Sequence, residues 1–174
     1  MILRPATIAD APALAQLGAD SFVAAFGHLY SAADLAAFLG SVHAPEAVAA
    51  EIAGDECTHC LAEHESVLVA YCKLRHPSKF AHHTDASDPI ELGQLYALPQ
   101  HTGAGLGARL MGWALATARA GGHDAMLLSV YSDNHGAQRF YNRYGFGKIA
   151  DITFAVGEQL DREYLYELRL GERA

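Results

Sequence analysis

Three glycines at alternate positions, Gly103-Ala104-Gly105-Leu106-Gly107, stand between an apolar run that stops at Pro99 and a helical pattern that starts at Leu106. Strand, glycines and helix in that order make an anion site. Glycine lets the backbone curl, and the unpaired N–H groups of the helix's first turn point at a phosphate with the helix dipole behind them. Gly103, Gly105 and Ala108 also satisfy the dinucleotide fingerprint GxGxxG/A. Two features argue against that reading. Pro99-Gln100-His101-Thr102 separate the first glycine from its strand, and where the fingerprint expects an acid about twenty residues further on, this chain has Leu127-Leu128-Ser129. A Walker loop is excluded because no Gly-Lys-Ser/Thr follows. By itself the glycine loop implies a phosphorylated ligand.

A second constellation follows. Asn134 and Tyr141 are two helical turns apart, so they share one face at a separation of about 10 Å. Ala137, between them, is small enough to let a ligand approach that face. A phenol with an ordinary pKa of about 10 stays protonated at neutral pH and can donate to a departing anion. Phe140 and Tyr144 read as the same helix's core stripe.

The elements that must carry these groups are legible from periodicity. Leu3 to Thr7 reads as a first strand; Thr7 with Asp10 then opens a helix that runs to about Ser21, with Ala11, Leu14 and Leu17 on one face. Helices follow over Ser31 to Leu39 and from Pro45 through Ala53. Cys60 to Glu63 and Val67 to Lys73 read as paired strands, the polar stretch His76 to Asp88 as a loop, and Ile90 to Leu98 as the fourth strand. Leu106 through Ala120 is a helix closed by Gly121-Gly122. Met126 to Val130 is an unbroken apolar strand, as a strand buried on both faces should be. Asn134 to Tyr144 is a helix ended at Gly145, and Ile149 to Val156 and Tyr164 to Leu170 are the last two strands. Strands with interspersed helices and no linker predict one mixed α/β domain over residues 1–174.

Bulk composition narrows the class. A net charge of −8 with no Lys/Arg cluster gives nucleic-acid binding no support. No apolar run approaches the ~20 residues of a membrane span, and the start Met1-Ile2-Leu3-Arg4-Pro5 lacks the layout of a signal peptide. Cys57, Cys60 and Cys72 are an odd count without a framework, which suits a reducing compartment and predicts a cytoplasmic protein. Cys57 and Cys60 have CxxC spacing, but in a strand residues three apart face opposite ways and there is no second pair. The ten histidines are dispersed, His82-His83 sit in a polar stretch, and no metal is implied.

Val130-Tyr131-Ser132-Asp133-Asn134-His135-Gly136-Ala137-Gln138-Arg139-Phe140-Tyr141-Asn142-Arg143-Tyr144-Gly145-Phe146 resembles the GNAT superfamily of N-acetyltransferases. Members share a strand ending in a valine-like residue, then Asn, Ala three later, Phe-Tyr, and Gly-Phe after a further turn. The preceding strand, Pro99 and Gly-x-Gly-x-Gly match the family's other motif, and Arg4-Pro5-Ala6-Thr7 and the tail match its ends. The resemblance implies a central, mostly antiparallel mixed sheet, splayed between strands 4 and 5 and flanked by helices, with acetyl-CoA as cofactor. Cofactor contacts would come from Leu95, Tyr96 and Ala97, from Thr102, Gly103, Ala104, Gly105, Leu106, Gly107 and Ala108, and from Asn134, Ala137, Arg139 and Tyr141. Leu95 and Ala97 would act through backbone at a bulge, and the Tyr141 hydroxyl would stand near the sulfur.

The implied reaction is transfer of acetyl to a primary amine of a small molecule by direct attack in a ternary complex. Glu91 is the expected base, acting through water, with Tyr96, Glu63 and Glu65 as weaker candidates. The segment carrying Phe22, Phe26 and Tyr30, expected to bind substrate, resembles the spermidine acetyltransferase subgroup and makes a polyamine one candidate acceptor. A protein N-terminus or lysine is the alternative acceptor, and a non-catalytic CoA-binding module the alternative class. The expected partners are the amine substrate and, for the chain itself, a second copy in a homodimer, with neither nucleic acid nor membrane. Two departures stand out: Thr102 replaces the family's usual Gln or Arg, and Ala104 its frequent Lys or Arg. Phosphate binding would then rest on backbone N–H groups, with Arg109 or Arg139 supplying charge.

Overall fold

In the computed structural model, which describes residues 1–103 and 105–171, all seven strands join one sheet in the order β1-β2-β3-β4-β5-β7-β6. The strands are β1 (Ile2–Pro5), β2 (Cys57–His64), β3 (Val67–Arg75), β4 (Pro89–Ala97), β5 (Ala125–Tyr131), β6 (Gly147–Val156) and β7 (Gln159–Arg169). Every neighbouring pair is antiparallel except β4 with β5. The helices are α1 (Ala11–Phe26), α2 (Ala32–Val42), α3 (Pro45–Ala53), α4 (Leu106–Gly121) and α5 (His135–Arg143). This is the mixed, mostly antiparallel α/β architecture expected.

Strand alternation divides the core between two faces. Cys60, Ala70, Cys72, Met126, Leu128 and Val130 join Leu110, Met111 and Ala114 of α4 in one cluster, with α5 leaning on it through Phe140, Tyr141 and Tyr144. On the opposite face Leu61 and Tyr71 pack beneath α1 and α3, and Phe22 and Phe38 meet Val156 below α2. Cys57 and Cys60 are buried, free thiols on β2.

Several boundaries differ from the sequence reading, each for a physical reason. The first strand closes at Pro5, and Thr7 with Asp10 forms a reciprocal capping box on a short 3-10 turn before α1 begins at Ala11. That start is reinforced by Arg4, which donates to Asp10 at 2.8 Å and to Glu63 at 2.8 Å. α1 continues past Ser21 to Phe26, and Gly18 within it packs where a side chain could not: an added Cβ would lie 2.5 Å from His43 Nδ1. β2 begins at Cys57, three residues early. β7 begins at Gln159, five residues before the expected Tyr164, because its charged start is neutralised in place. There Tyr30 hydrogen-bonds Asp161, and Arg162 reaches Asp151 on β6 at 2.8 Å. Within the loop 76–88, residues Ala81–His83 form one 3-10 turn. Asp88 hydrogen-bonds His76 at 2.7 Å and His123 at 2.8 Å through different oxygens, which fastens the loop's end to the end of α4.

The decisive departure from regularity is in β4. It pairs with β5 only over Pro89, Ile90 and Glu91, opposite Ala125, Met126 and Leu127. On its other side Leu92 faces Leu74 and Gln94 faces Lys73, so Gly93 is an extra, bulged residue. Beyond the bulge β4 stays with β3 and parts from β5, opening a wedge in the sheet.

His43, which follows α2, is 6% exposed between Phe22, Phe38 and Tyr96, and its Nε2 is buried without a partner. Burial, aided by the charge of Lys73, lowers its pKa to about 4. The unfolded chain, titrating near 6.5, therefore takes up a proton that the folded chain refuses. Stability is full above the unfolded value and falls with pH between about 6.5 and 4, by on the order of 2 kcal/mol. Thermal melts of wild type and His43→Phe should diverge as pH drops from 7 to 5, the wild type losing more. Parallel curves would show that His43 does not titrate in this window.

Candidate active site

A cavity of about 640 Å³ runs through the wedge. From the α4/α5 face it is lined by Asn134, Ala137 and Tyr141; from the α1/α2 face by Phe22, Phe26, Tyr30 and Phe38; and in the sheet by β4 from Glu91 to Ala97 and by Ser129, Tyr131 and Glu163. The groups singled out at Asn134, Ala137, Tyr141, Glu91, Leu95, Tyr96, Ala97, Phe22, Phe26 and Tyr30 thus meet around one space.

The bulge fixes what β4 offers. Leu98 N–H donates to Val69 O at 3.0 Å on the β3 side. Amides alternate along a strand, so those of Tyr96 and Gln94 also face β3, and those of Leu95 and Ala97 face the wedge, where β5 has departed. An extended amide-bearing ligand could add there as a strand. The parity shift at Gly93 places Glu91, Gln94 and Tyr96 on the α1/α2 face, with Leu95 and Ala97 packed toward α4.

Asn134 is the N-cap of α5, its Oδ1 accepting from Ala137 N–H at 3.1 Å. The cap aims the helix at the wedge. Tyr141 packs its ring against Phe140 and Phe146, and burial pushes its phenol well above the ordinary range, so it is a proton donor at neutral pH. Phe140 and Tyr144 sit against the core, as their spacing suggested. Arg139 is exposed on α5 and Arg109 on α4.

The glycine loop abuts this helix. Gly103 and Gly105 hold φ of 83° and 75°, the left-handed region that glycine tolerates, and Gly105 is the N-cap of α4. Arg109 N–H bonds to Gly105 O, so the amides of Leu106, Gly107 and Ala108 lie in the turn before the helix's own bonding starts. A Cβ on Gly107 would touch Phe140 at 3.5 Å, so α4 and α5 meet closely here. Thr102 turns its hydroxyl inward to Pro99 O at 2.7 Å. Ala104 lies outside the described residues.

Acids in and near the cavity differ sharply in their partners. Glu91 is 7% exposed, and its Oε2 accepts from Lys79 N–H at 2.9 Å and from the Ser78 hydroxyl at 3.3 Å, tying down the start of the 76–88 loop. Glu51 takes Lys73 on both oxygens at 2.9 Å. Glu63 is paired with Arg4, and Glu65 sits in the β2–β3 turn at φ 49°; neither lines the cavity. Glu163 was not among the sequence candidates. Its Oε2 is buried with no partner, the Ser129 hydroxyl supports the carboxylate, and burial raises its pKa. The alternation of β7 would have exposed it, but a strand started at Tyr164 leaves Glu163 in a turn.

Comparison with known proteins accords with this geometry. The chain matches the Acetyltransferase (GNAT) family over residues 21–146 and belongs to that family. No curated protein matches. Among solved structures, the PaiA N-acetyltransferase of Thermoplasma acidophilum in complex with coenzyme A is similar at a TM-score of 0.79 and 19% identity, covering 97% of this chain and 98% of its own. YncA of Salmonella typhimurium, with acetyl-CoA, gives 0.67 at 22% identity over 100% and 96%. The ribosomal-protein-S18-alanine N-acetyltransferase of Escherichia coli gives 0.72 at 13% over 99% and 96%. At these identities the likeness is one of fold.

Gly105 supplies a direct test of the loop. No atom lies within 4 Å of a Cβ added there, so Gly105→Ala is limited by its φ alone, at about 1–2 kcal/mol. Calorimetric titration should show coenzyme A binding weakened roughly five- to thirtyfold. Gly112→Ala, mid-helix and in open space, should leave binding unchanged.

Proposed function

We propose that this acetyltransferase moves the acetyl group of acetyl-CoA to the primary amine of a small molecule by direct attack in a ternary complex, within one domain spanning residues 1–174. The observation that carries the reading is the cavity through the wedge, with Tyr141 on one face and carboxylates and an aromatic wall on the other. Acetyl-CoA supplies an acetyl group activated as a thioester. The groups suited to hold it are the open amides of Leu95 and Ala97, the first turn of α4 with its positive-φ glycines, and the face of α5 kept low by Ala137. Arg109 and Arg139 are the nearby cations in the sequence motifs.

Tyr141, protonated at neutral pH, donates a hydrogen bond, then a proton, to the sulfur as the C–S bond breaks. Glu91 lines the acceptor side and is a candidate to draw off the amine's proton through water. Alignment of amine and thioester in the narrow wedge contributes as well. The three cysteines are free and buried, which favours a reducing compartment such as the cytoplasm.

A small acceptor is favoured over a protein terminus by the packing of the acceptor wall. Phe26, Tyr30 and Phe38 each pack a ring against Phe22 where a peptide would need an open groove. Both acceptor classes occur among proteins of this fold: one similar structure is an aminoglycoside 6'-acetyltransferase and another acetylates ribosomal-protein alanine.

Release of CoA thiol should be measured with a panel of amines, polyamines and peptides. Tyr141→Phe should lower kcat by about ten- to a hundredfold and leave coenzyme A affinity within twofold. No turnover with any acceptor would point to a non-catalytic CoA-binding module, and an unchanged kcat in Tyr141→Phe would remove Tyr141 from the proton transfer.

A further inference from the structure

We propose that Glu163 of β7 receives the proton of the acceptor's ammonium group, and that the acceptor is an amine of single positive charge with an apolar body. This rests on the reading that the α1/α2 side of the cavity takes the acceptor.

Three carboxylates line the cavity: Glu51, Glu91 and Glu163. Glu51 is spent on Lys73, with Arg75 at 3.5 Å and His59 at 3.5 Å beside it. Glu91 Oε2 holds the 76–88 loop through two donors. Asp161, one alternation along from Glu163 on β7, is engaged by Tyr30 and by Gln159 at 2.8 Å. Only Glu163 keeps a buried oxygen with no donor among the described residues. A buried acceptor left unpaired costs free energy, and a ligand that brings an N–H to it recovers that cost.

The sheet aims this carboxylate at the wedge. Glu163 lies opposite Tyr131 on β5 and Ile152 on β6, and strand alternation puts Ser129, Tyr131 and Glu163 on one face. Tyr96, on the other lip of the wedge, is within electrostatic reach of both Glu163 and Tyr141. Proton acceptor and proton donor therefore approach one gap from opposite faces of the sheet. The charged and titratable groups that face Glu163 are Asp161 of its own strand, Tyr30 beyond α1, Tyr96 of β4 and Tyr131 of β5. The phenols of Tyr30, Tyr96 and Tyr131 are all held neutral, and Asp161 adds like charge, so no cation among the described residues balances Glu163.

Around it stand the rings of Phe22, Phe26, Phe38 and Phe154, which suit an apolar body and the face of an ammonium group. A polyamine needs a second free carboxylate along its chain. The far end of the cavity offers Lys73, Arg75 and Lys79 instead, with its acids already paired.

The step balances. One ammonium proton passes to Glu163, and the freed nitrogen lone pair forms the C–N bond to the thioester carbonyl carbon. The C–S bond breaks; the sulfur takes a proton from Tyr141, which is repaid by the second proton lost from nitrogen. Glu163 then returns its proton to solvent. The products are the amide, CoA thiol and one proton.

The test uses 2-phenylethylamine and spermidine as probes with wild type, Glu163→Gln and Glu163→Asp. Wild type should use 2-phenylethylamine with at least tenfold higher kcat/KM than spermidine. At pH 7, Glu163→Gln should lose about a hundredfold in kcat/KM, narrowing as pH rises toward the amine's own pKa, while Glu163→Asp recovers part of the rate. Independently of turnover, calorimetric binding of 2-phenylethylamine to the CoA complex should weaken about tenfold in Glu163→Gln, with coenzyme A affinity unchanged. Full activity and amine binding in Glu163→Gln, the same pH-dependent loss in Glu91→Gln alone, or a preference for spermidine would each overturn the inference and leave the acetyltransferase reading standing. Absence of turnover by wild type with every amine would overturn both.

Discussion

Everything at the site depends on β4 leaving β5 after three paired residues. A sheet normally pairs every interior N–H and C=O, and an open stretch in its middle carries the cost of unmet hydrogen bonds. Here the cost is localised by one bulge. Gly93 is an extra residue against β3, so β4 keeps that neighbour and bends from the other. The amides of Leu95 and Ala97 are consequently directed at a gap. A gap through the centre of a sheet also joins its two faces, which no surface cleft does. Groups on α5 and groups beneath α1 and α2, separated elsewhere by a full layer of strands, share a single cavity here.

The same constraint sorts the charges. Shifting parity at Gly93 brings Glu91, Gln94 and Tyr96 to the α1/α2 face, the face to which Lys73 and Glu163 also belong. Apart from Glu163, the buried ionic groups on that face are paired locally: Lys73 with Glu51, Glu91 with the 76–88 loop, and Asp161 with Tyr30. Each pairing stiffens an element that walls the cavity, since breaking a buried pair leaves an uncompensated charge. The α4/α5 face is different in kind. It presents backbone amides, glycines and one phenol, with its arginines outside. In the proposed reaction, polar recognition of the cofactor and proton handling at the amine thus occupy opposite sides of the sheet.

Much of this was legible in the residues. The glycine loop and the Asn134–Phe146 segment carried the family, and their order and helical spacing carried the pairing of Asn134 with Tyr141. The open backbone at Leu95 and Ala97 followed from the resemblance. What sequence reading missed was set by long-range partners. Gly93 inside a strand pattern was a local mark of the bulge, but the register that makes it one belongs to β3. Asp161-Arg162-Glu163 lay outside the last strand, expected from Tyr164 to Leu170. They join it because Tyr30 and Asp151 lie 131 and 11 residues away in sequence and alongside in space. Gly18 inside α1 leaves the space that His43 occupies, a contact without local trace.

The glycine loop and the wedge divide the work unequally. Positive φ at Gly103 and Gly105 and a fresh helix terminus hold an anion wherever they occur, and the resemblance to a dinucleotide fingerprint reflects that generality. Specificity for a thioester needs the second feature, an edge of strand that leads a chain of amides from the helix terminus to the phenol of Tyr141. Gly107 packs at 3.5 Å from Phe140, so the terminus of α4 and the helix bearing that phenol are held as one unit. With α5 capped by Asn134 and stopped at Gly145, whose φ of 93° ends the helix, Tyr141 has little freedom to leave the wedge. The proposed chemistry is therefore held by backbone geometry, and the side chains left to set the acceptor in that reading are those on the far face.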